Sequence, residues 1–217
     1  MVFFLIKECA LVKKGVKIMR KKLLLMFVLV IFVLTAIACS GLRFSQLASE
    51  AGDFHPKRVI IFPLEMVMPE GTKEVRAEVE KNIEGALIEK KWFTFVAGTE
   101  NFNRQLLANE ELNKAMTEYL AKLQTVNFSD PDLSKKIGEL FNVDAFLMAS
   151  VDSWDYIVVK DDKKAFVGMT MKLYEASTGK LMWKAGYDIK EDYMLIKPDL
   201  TKVARDVTRK LIAYMPH

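Results

Sequence analysis

Apolar residues keep two rhythms along this chain. A spacing near 3.6 residues recurs at Val75, Val79, Ile83, Ala86 and Leu87, and again at Leu112, Ala115, Met116, Tyr119, Leu120 and Leu123. It returns at Leu133, Ile137, Leu140 and Phe141, and finally at Leu200, Val203, Ala204, Val207, Leu211 and Tyr214. Each set predicts a helix with one apolar stripe. Thr72, Asn109 and Asp130 stand where the caps of the first three belong, Pro131 takes a first helical position, and Asn142 suits a left-handed stop. A spacing of two governs Val167, Met169, Met171 and Leu173, then Leu181, Trp183, Ala185, Tyr187 and Ile189, with polar residues between them. These predict half-buried strands joined by the turn Ala176–Gly179. Ala145 to Val159 reads as a longer strand whose alternation falters from Asp152 to Asp155, and Asp161–Lys164 as the hairpin tip after it. Arg58–Phe62 and Trp92–Val96 are short, nearly continuous apolar runs, as in strands covered on both faces.

The predicted order is therefore β-α-β-α-α-β-β-β-α. It describes a single α/β (α+β) domain over residues 57–217, with a mixed sheet, an antiparallel meander and helices mainly on one face. Thr170, Lys172, Lys184 and Asp188 point to the outward face of that meander.

The chain before this domain has a different character. Met19-Arg20-Lys21-Lys22 is a basic cluster, and Leu23–Ala38 is an apolar run interrupted only by Thr35 and followed by Cys39-Ser40-Gly41. Basic start, apolar middle and small exit residues make a secretory signal. At 16 residues the run is shorter than the roughly 20 that a membrane-spanning helix needs. Met1–Val12 is broken by Lys7 and Glu8, so translation is expected to start at Met19 and residues 1–38 to be an upstream extension plus signal peptide. Leu34–Cys39 resembles the lipobox of bacterial lipoproteins. That resemblance implies cleavage between Ala38 and Cys39 and a diacylglyceryl group on the Cys39 sulfur, with acylation of the new amino terminus. Ala36 departs from the usual leucine of the motif, and Ser40, by the same resemblance, favours the outer membrane over the inner. Two or more acyl chains hold a protein stably at about 0.8 kcal/mol per buried CH₂. Residues 39–56 show no sustained periodicity and read as a lipidated flexible tether of roughly 20–25 Å.

Processing changes the charge picture. The whole chain has 32 Lys and Arg against 28 Asp and Glu. Residues 1–38 hold seven of the basic residues (7, 13, 14, 17, 20, 21 and 22) and one acid, Glu8, which leaves 25 basic and 27 acidic residues. The mature net charge of −2 removes the basic surface that nucleic-acid binding requires. Cys9 and Cys39 are the two cysteines, so no disulfide framework is expected after processing.

Four stretches in this order carry a second resemblance. They are Lys57–Pro63, the helix-to-strand junction Lys135–Val151, the turn Tyr174–Trp183, and the closing amphipathic helix that ends near Pro216. Together they resemble the amino-terminal domain of TolB and its envelope-lipoprotein relatives, including the periplasmic part of the curli secretion protein CsgG. The resemblance implies a binding or assembly module for secretion, export or cell-wall machinery, with other envelope proteins as partners. CsgG relatives also form oligomeric pores, so self-association is an alternative, although Thr170, Lys172, Lys184 and Asp188 make poor barrel-wall material.

Catalytic signals are sparse. His55 falls in the tether and His217 is the last residue, so neither is expected in a rigid site, and Ser-His-Asp or Cys-His chemistry lacks a base. No metal site, phosphate-binding loop or dinucleotide fingerprint is expected, and no cofactor beyond the lipid on Cys39. Asp144, Asp152 and Asp155 near strand ends keep a wall-directed hydrolase as the remaining enzymatic alternative. For protein partners, the candidates are Met66 and Met68 after the first strand and Trp154 and Tyr156 where the alternation fails.

Overall fold

The computed structural model describes residues 41–66 and 73–217, so Ala38, Cys39, Met68 and Thr72 lie outside the described residues. One seven-stranded sheet organises this part. Its strands are β1 (Leu42–Leu47), β2 (Arg58–Ile61), β3 (Glu65–Met66), β4 (Phe95–Ala97), β5 (Ala145–Val159), β6 (Asp162–Glu175) and β7 (Leu181–Tyr193). The order across the sheet is β1-β7-β6-β5-β2-β4, with β3 paired to β5 beyond the end of β2. β2 is parallel to both β4 and β5, whereas β5, β6, β7 and β1 are antiparallel in succession. The helices are α1 (Lys73–Lys90), α2 (Thr99–Ala108), α3 (Glu110–Val126), α4 (Pro131–Phe141) and α5 (Leu200–Ile212).

The mixed sheet, the meander and the order of the principal elements are those that the periodicity indicates. The caps also act as their residue types require. Asn109 Oδ1 accepts from the Leu112 amide at 3.1 Å, and Asp130 Oδ1 accepts from the Asp132 and Leu133 amides at 3.0 and 3.2 Å. Asn142 ends α4 at φ 54° and ψ 57°, and Asn127 ends α3 at φ 51°. Asparagine tolerates this left-handed turn because its short side chain bonds locally. Gly179, at φ 69°, occupies the turn before β7. A β-carbon there would also stand 2.9 Å from Ser129 Oγ.

Three features differ from the sequence reading. The segment expected to be a flexible tether is ordered from Gly41: β1 pairs Leu42 with Tyr187 and Leu47 with Trp183, and a 3-10 turn follows at Ser49–Asp53. Its six residues alternate too briefly to stand out, and the pairing surface that holds them comes from β7, far along the chain. The helices cover both faces of the sheet instead of mainly one. Val59 and Ile61 face a core shared with α1 and α5, while Ile60 and Phe62 face a second core shared with α2, α3 and α4. Strict alternation along β2 enforces this division. Lastly, α2 was not foreseen: Phe102 is its one fully buried residue, so its stripe is thin.

The second core is aromatic. Phe62 lies 5.2 Å from Phe102 and 5.1 Å from Phe146, and Tyr119 closes the cluster. These helices cover β4, β2, the start of β5 and the end of β6 at Tyr174. Beyond them no described helix lies over the same sheet face, and that area positions the site described next.

Candidate functional site

Where α3 ends, the sheet continues without a described helix over this face. A groove runs along this boundary, in two adjoining depressions of about 290 and 370 Å³ that share Glu65, Gln124 and Met148. On the sheet side it meets Ser150, Thr170 and Lys172, and on the loop side Pro63, Leu64 and Met66. The loop's course is fixed by chemistry: Pro63 closes β2, and the Leu64 amide donates to Glu80 Oε1 at 2.9 Å, tying it to α1. Apolar and polar groups are mixed along the groove, which suits a peptide or protein segment more than a small apolar ligand.

Next to the groove lies an ordered polar network. Arg43 reaches from β1 across the face of β7 and β6. Its Nη2 donates to the Met169 carbonyl at 2.8 Å, to Thr170 Oγ1 at 3.1 Å and to the Asp152 carboxylate, and its Nε stands 2.9 Å from Asp188 Oδ1. Thr170 Oγ1 donates in turn to Asp152 at 2.6 Å, and Ser150 Oγ donates to Asp152 at 2.9 Å. Two glycines make room for the guanidinium. A β-carbon at Gly168 would stand 2.6 Å from Asp188, and one at Gly186 would meet the Phe44 ring at 2.7 Å and Arg43 Nε at 3.1 Å. Partial burial pushes the Asp188 carboxyl above its ordinary range, aided by the neighbouring Asp152 charge and opposed by Arg43 and Lys190. The ion pair has the right distance but not a directed hydrogen bond, since Asp188 Oδ1 is buried without a donor aimed at it.

The carboxylates considered for catalysis do not converge. Asp144 accepts from the Lys57 and Arg58 amides, both at 2.8 Å, and so pins the start of β2 to β5. Asp152 belongs to the Arg43 network, and Asp155 accepts from its neighbour's amide at 2.7 Å. Asp144 and Asp152 are eight residues apart along one chain, about 26 Å at a strand's rise. Glycoside hydrolysis needs roughly 5–9.5 Å between carboxyls. Among the described residues no three His, Cys, Asp or Glu side chains group to hold a metal, and no helix is long and apolar enough to cross a membrane.

Met66 is half-buried in β3, packs against the α1–α5 core and lines the groove. Trp154 and Tyr156 are also half-buried against that core, on the distal part of β5. The Tyr156 hydroxyl donates to the Pro198 carbonyl at 2.7 Å, so its polar end is used within the chain. These residues are therefore not gathered into one surface: Met66 belongs to the groove, while Trp154 and Tyr156 pack against the core on the distal part of β5 and Tyr156 braces the far end of the meander. The expectation that His217 is loose is corrected, because its ring stacks on Trp92 at 3.9 Å and 4°, and its carbonyl lies 3.1 Å from His55 Nδ1. Arg43 was missed because it falls in the segment read as tether. The short Leu42-Arg43-Phe44 alternation was the available signal.

No family model matches the chain, and no curated protein matches it. Solved structures do. A subunit of the PelC dodecamer from Paraburkholderia phytofirmans aligns with a TM-score of 0.50 and 14% identity, over 80% of this chain and 96% of that one. The hypothetical protein CT253 from Chlamydia trachomatis aligns at TM-score 0.49 and 10% identity over 72% and 93%. Lipoprotein GNA1162 from Neisseria meningitidis aligns at 0.42 and 14% over 74% and 100%. The first likeness establishes a shared fold with the PelC subunit; no argument rests on the other two.

Proposed function

We propose that this chain is a lipid-anchored protein of the bacterial envelope, held at the outer membrane through Cys39 and facing the periplasm. Its α/β domain is a non-enzymatic binding and assembly module for secretion, export or cell-wall machinery. One observation carries the binding role: among the described residues the helix layer stops short, leaving a mixed groove beside an ordered Arg43–Asp152–Asp188 network on the sheet face. Shape plus fixed polar groups is what protein recognition uses. The anchoring role rests on the Met19–Gly41 pattern, and the TolB/CsgG-like resemblance points the same way.

The test is crosslinking in intact cells from a photoreactive residue at Gln124, followed by mass spectrometry of what is captured, with Cys39→Ser as the comparison. Capture of a defined envelope protein that disappears with Cys39→Ser supports the reading. Capture of cytoplasmic proteins, unchanged by Cys39→Ser, overturns it.

A second reading is assembly into a ring of identical subunits, favoured by the fold shared with a protein solved as a dodecamer. Native mass spectrometry of the detergent-extracted protein distinguishes it: a single high-order homo-oligomer supports a ring, and a monomer removes it.

A further inference from the structure

On the face that carries the groove, the meander extends well past the described helices, while α5 covers its other face as far as Tyr156. Asn127, at the end of α3, lies level with Ser150 and Lys172 in the groove, yet β5 runs nine residues further, to Val159. Over this distance β5, β6 and β7 form a three-stranded ribbon. At its tip Val158 pairs with Lys163, which pairs with Tyr193, and Lys160 and Asp161 make the turn in left-handed conformations.

The tip is apolar where it should be polar. Val158 is 68% exposed, and Met194, Leu195 and Ile196, which follow β7, are 88, 95 and 86% exposed. Three consecutive large apolar side chains in water are unusual for a free surface. They are not a loose loop. Tyr156 lies edge-on to Tyr193 at 5.8 Å, donates to the Pro198 carbonyl at 2.7 Å and sits under Lys197 Nζ at 4.6 Å, so both ends of the segment are braced.

The chain's own direction brings its amino-terminal side toward this tip. β1 pairs Leu42 with Tyr187 and Leu47 with Trp183, so the chain enters the sheet on the tip side and runs away from the tip. The pairing extends to Gly41, whose carbonyl accepts from the Asp188 amide at 2.7 Å. Cys39 is two residues earlier, and covalent reach keeps its Cα within about 7 Å of that of Gly41. The tip lies five residue pairs beyond Asp188, about 17 Å along the ribbon.

We propose that the tip of the β5–β7 ribbon is a membrane-contact element. Val158, Met194, Leu195 and Ile196 enter the boundary between headgroups and acyl chains of the bilayer that holds Cys39, orienting the domain with its groove away from the lipid. This rests on the lipid anchor proposed above. Apolar faces of this kind enter the interface by roughly 5–10 Å. Lys160 and Lys163 lie at the tip, with long stems that can carry their ammonium ends to headgroups; Lys164 pairs with Asp192, Lys190 lies over Phe166 and Lys197 over Tyr156. Asp161, Asp162, Glu191 and Asp192 offset most of their charge, so binding depends on apolar contact and only weakly on salt.

The test uses the purified, processed protein reconstituted in vesicles of phosphatidylethanolamine and phosphatidylglycerol. Leu195→Cys carries an environment-sensitive fluorophore. Leu107→Cys, in the helix layer and also 88% exposed, is the control. Intact mass first establishes whether the protein starts at an acylated Cys39, whose sulfur is then closed to the label. With the lipid present, the inference expects the Leu195 probe to shift to shorter wavelength, brighten severalfold and be quenched by lipids carrying a shallow nitroxide, while the Leu107 probe does none of these. An acylated protein whose Leu195 probe reports water overturns the inference and leaves the lipoprotein reading intact. A probe that is shielded but not quenched by nitroxide lipids assigns the tip to a second copy or another protein, which also overturns it. A protein without lipid on Cys39 overturns the anchor and this inference with it.

Discussion

Replacing Arg43 by alanine should unfasten β1 from the sheet. The side chain makes three hydrogen bonds, to Asp152, Met169 and Thr170, and ion pairs with Asp152 and Asp188. Hydrogen bonds to charged groups contribute about 1.5–3 kcal/mol each when well buried, whereas exposed ion pairs contribute about 0–1 kcal/mol. Here the side chains of Arg43, Asp152 and Asp188 are 32, 28 and 24% accessible, so solvent screens each contact substantially. Discounting accordingly, the whole set contributes about 2–3 kcal/mol, part of it the cost of leaving two partly buried carboxylates without a cation. For a domain of this size that lowers Tm by about 5–10 °C. The assay is thermal and urea unfolding of the unlipidated Cys39→Ser chain with and without Arg43→Ala, together with amide exchange. Amides of β1 should lose protection first, while those in the middle of β6 keep theirs. Adding Asp188→Asn to Arg43→Ala should recover part of the loss, because one stranded charge is gone. A destabilisation below about 0.5 kcal/mol, or no change in β1 exchange, would refute the idea that this network fastens the strand.

Other substitutions probe separate parts of the account. Burial raises the Asp188 carboxyl above 3.8, so its contribution to stability is full when protonated and is lost as pH rises through the folded value. The unfolding midpoint of the natural chain should therefore fall relative to that of Asp188→Asn as pH climbs above this range; the opposite slope would contradict the assignment. Asp199→Ala should cost about 1 kcal/mol, since Asp199 caps α5 through the Thr201 amide at 2.9 Å. Hydrogen bonds from Thr201 hold its carboxyl below 3.8, so that cost should be full at neutral pH and shrink as pH falls through the lowered value, measured by urea midpoints. Gly138→Ala should destabilise by about 1–3 kcal/mol despite the better helix propensity, because the new methyl would lie 2.6 Å from the Ala176 β-carbon. Gly85→Ala, with nothing within 4 Å, should instead stabilise by about 0.5–1 kcal/mol.

The meander and the larger helices were legible because their signals are local and long. Thirteen to fifteen residues of β5, β6 and β7 repeat the same alternation, and Asn109, Asp130 and Asn142 announce helix ends by side-chain chemistry. The polar outward positions Thr170, Lys172, Lys184 and Asp188 followed directly from that alternation, and they do border the open face. What was not legible depends on partners distant in the chain. β1 is six residues whose structure is supplied by β7, and α2 buries one aromatic side chain against the second core. The site was harder still. Arg43 meets Asp152 and Asp188 only after pairing brings residues more than a hundred positions apart to one place. Trp154 and Tyr156 were identifiable as unusual, but the task of Tyr156, bracing both ends of the Met194–Ile196 segment, needs the third dimension.

The measurement that tests the central claim most directly is the intact mass of the protein purified from membranes of cells fed a traceable fatty acid. The account predicts a chain that begins at Cys39, carries the label, and has the mass of residues 39–217 plus a diacylglyceryl group and an amide-linked acyl chain. A chain that retains residues before Cys39, or one that begins there without lipid, would contradict it.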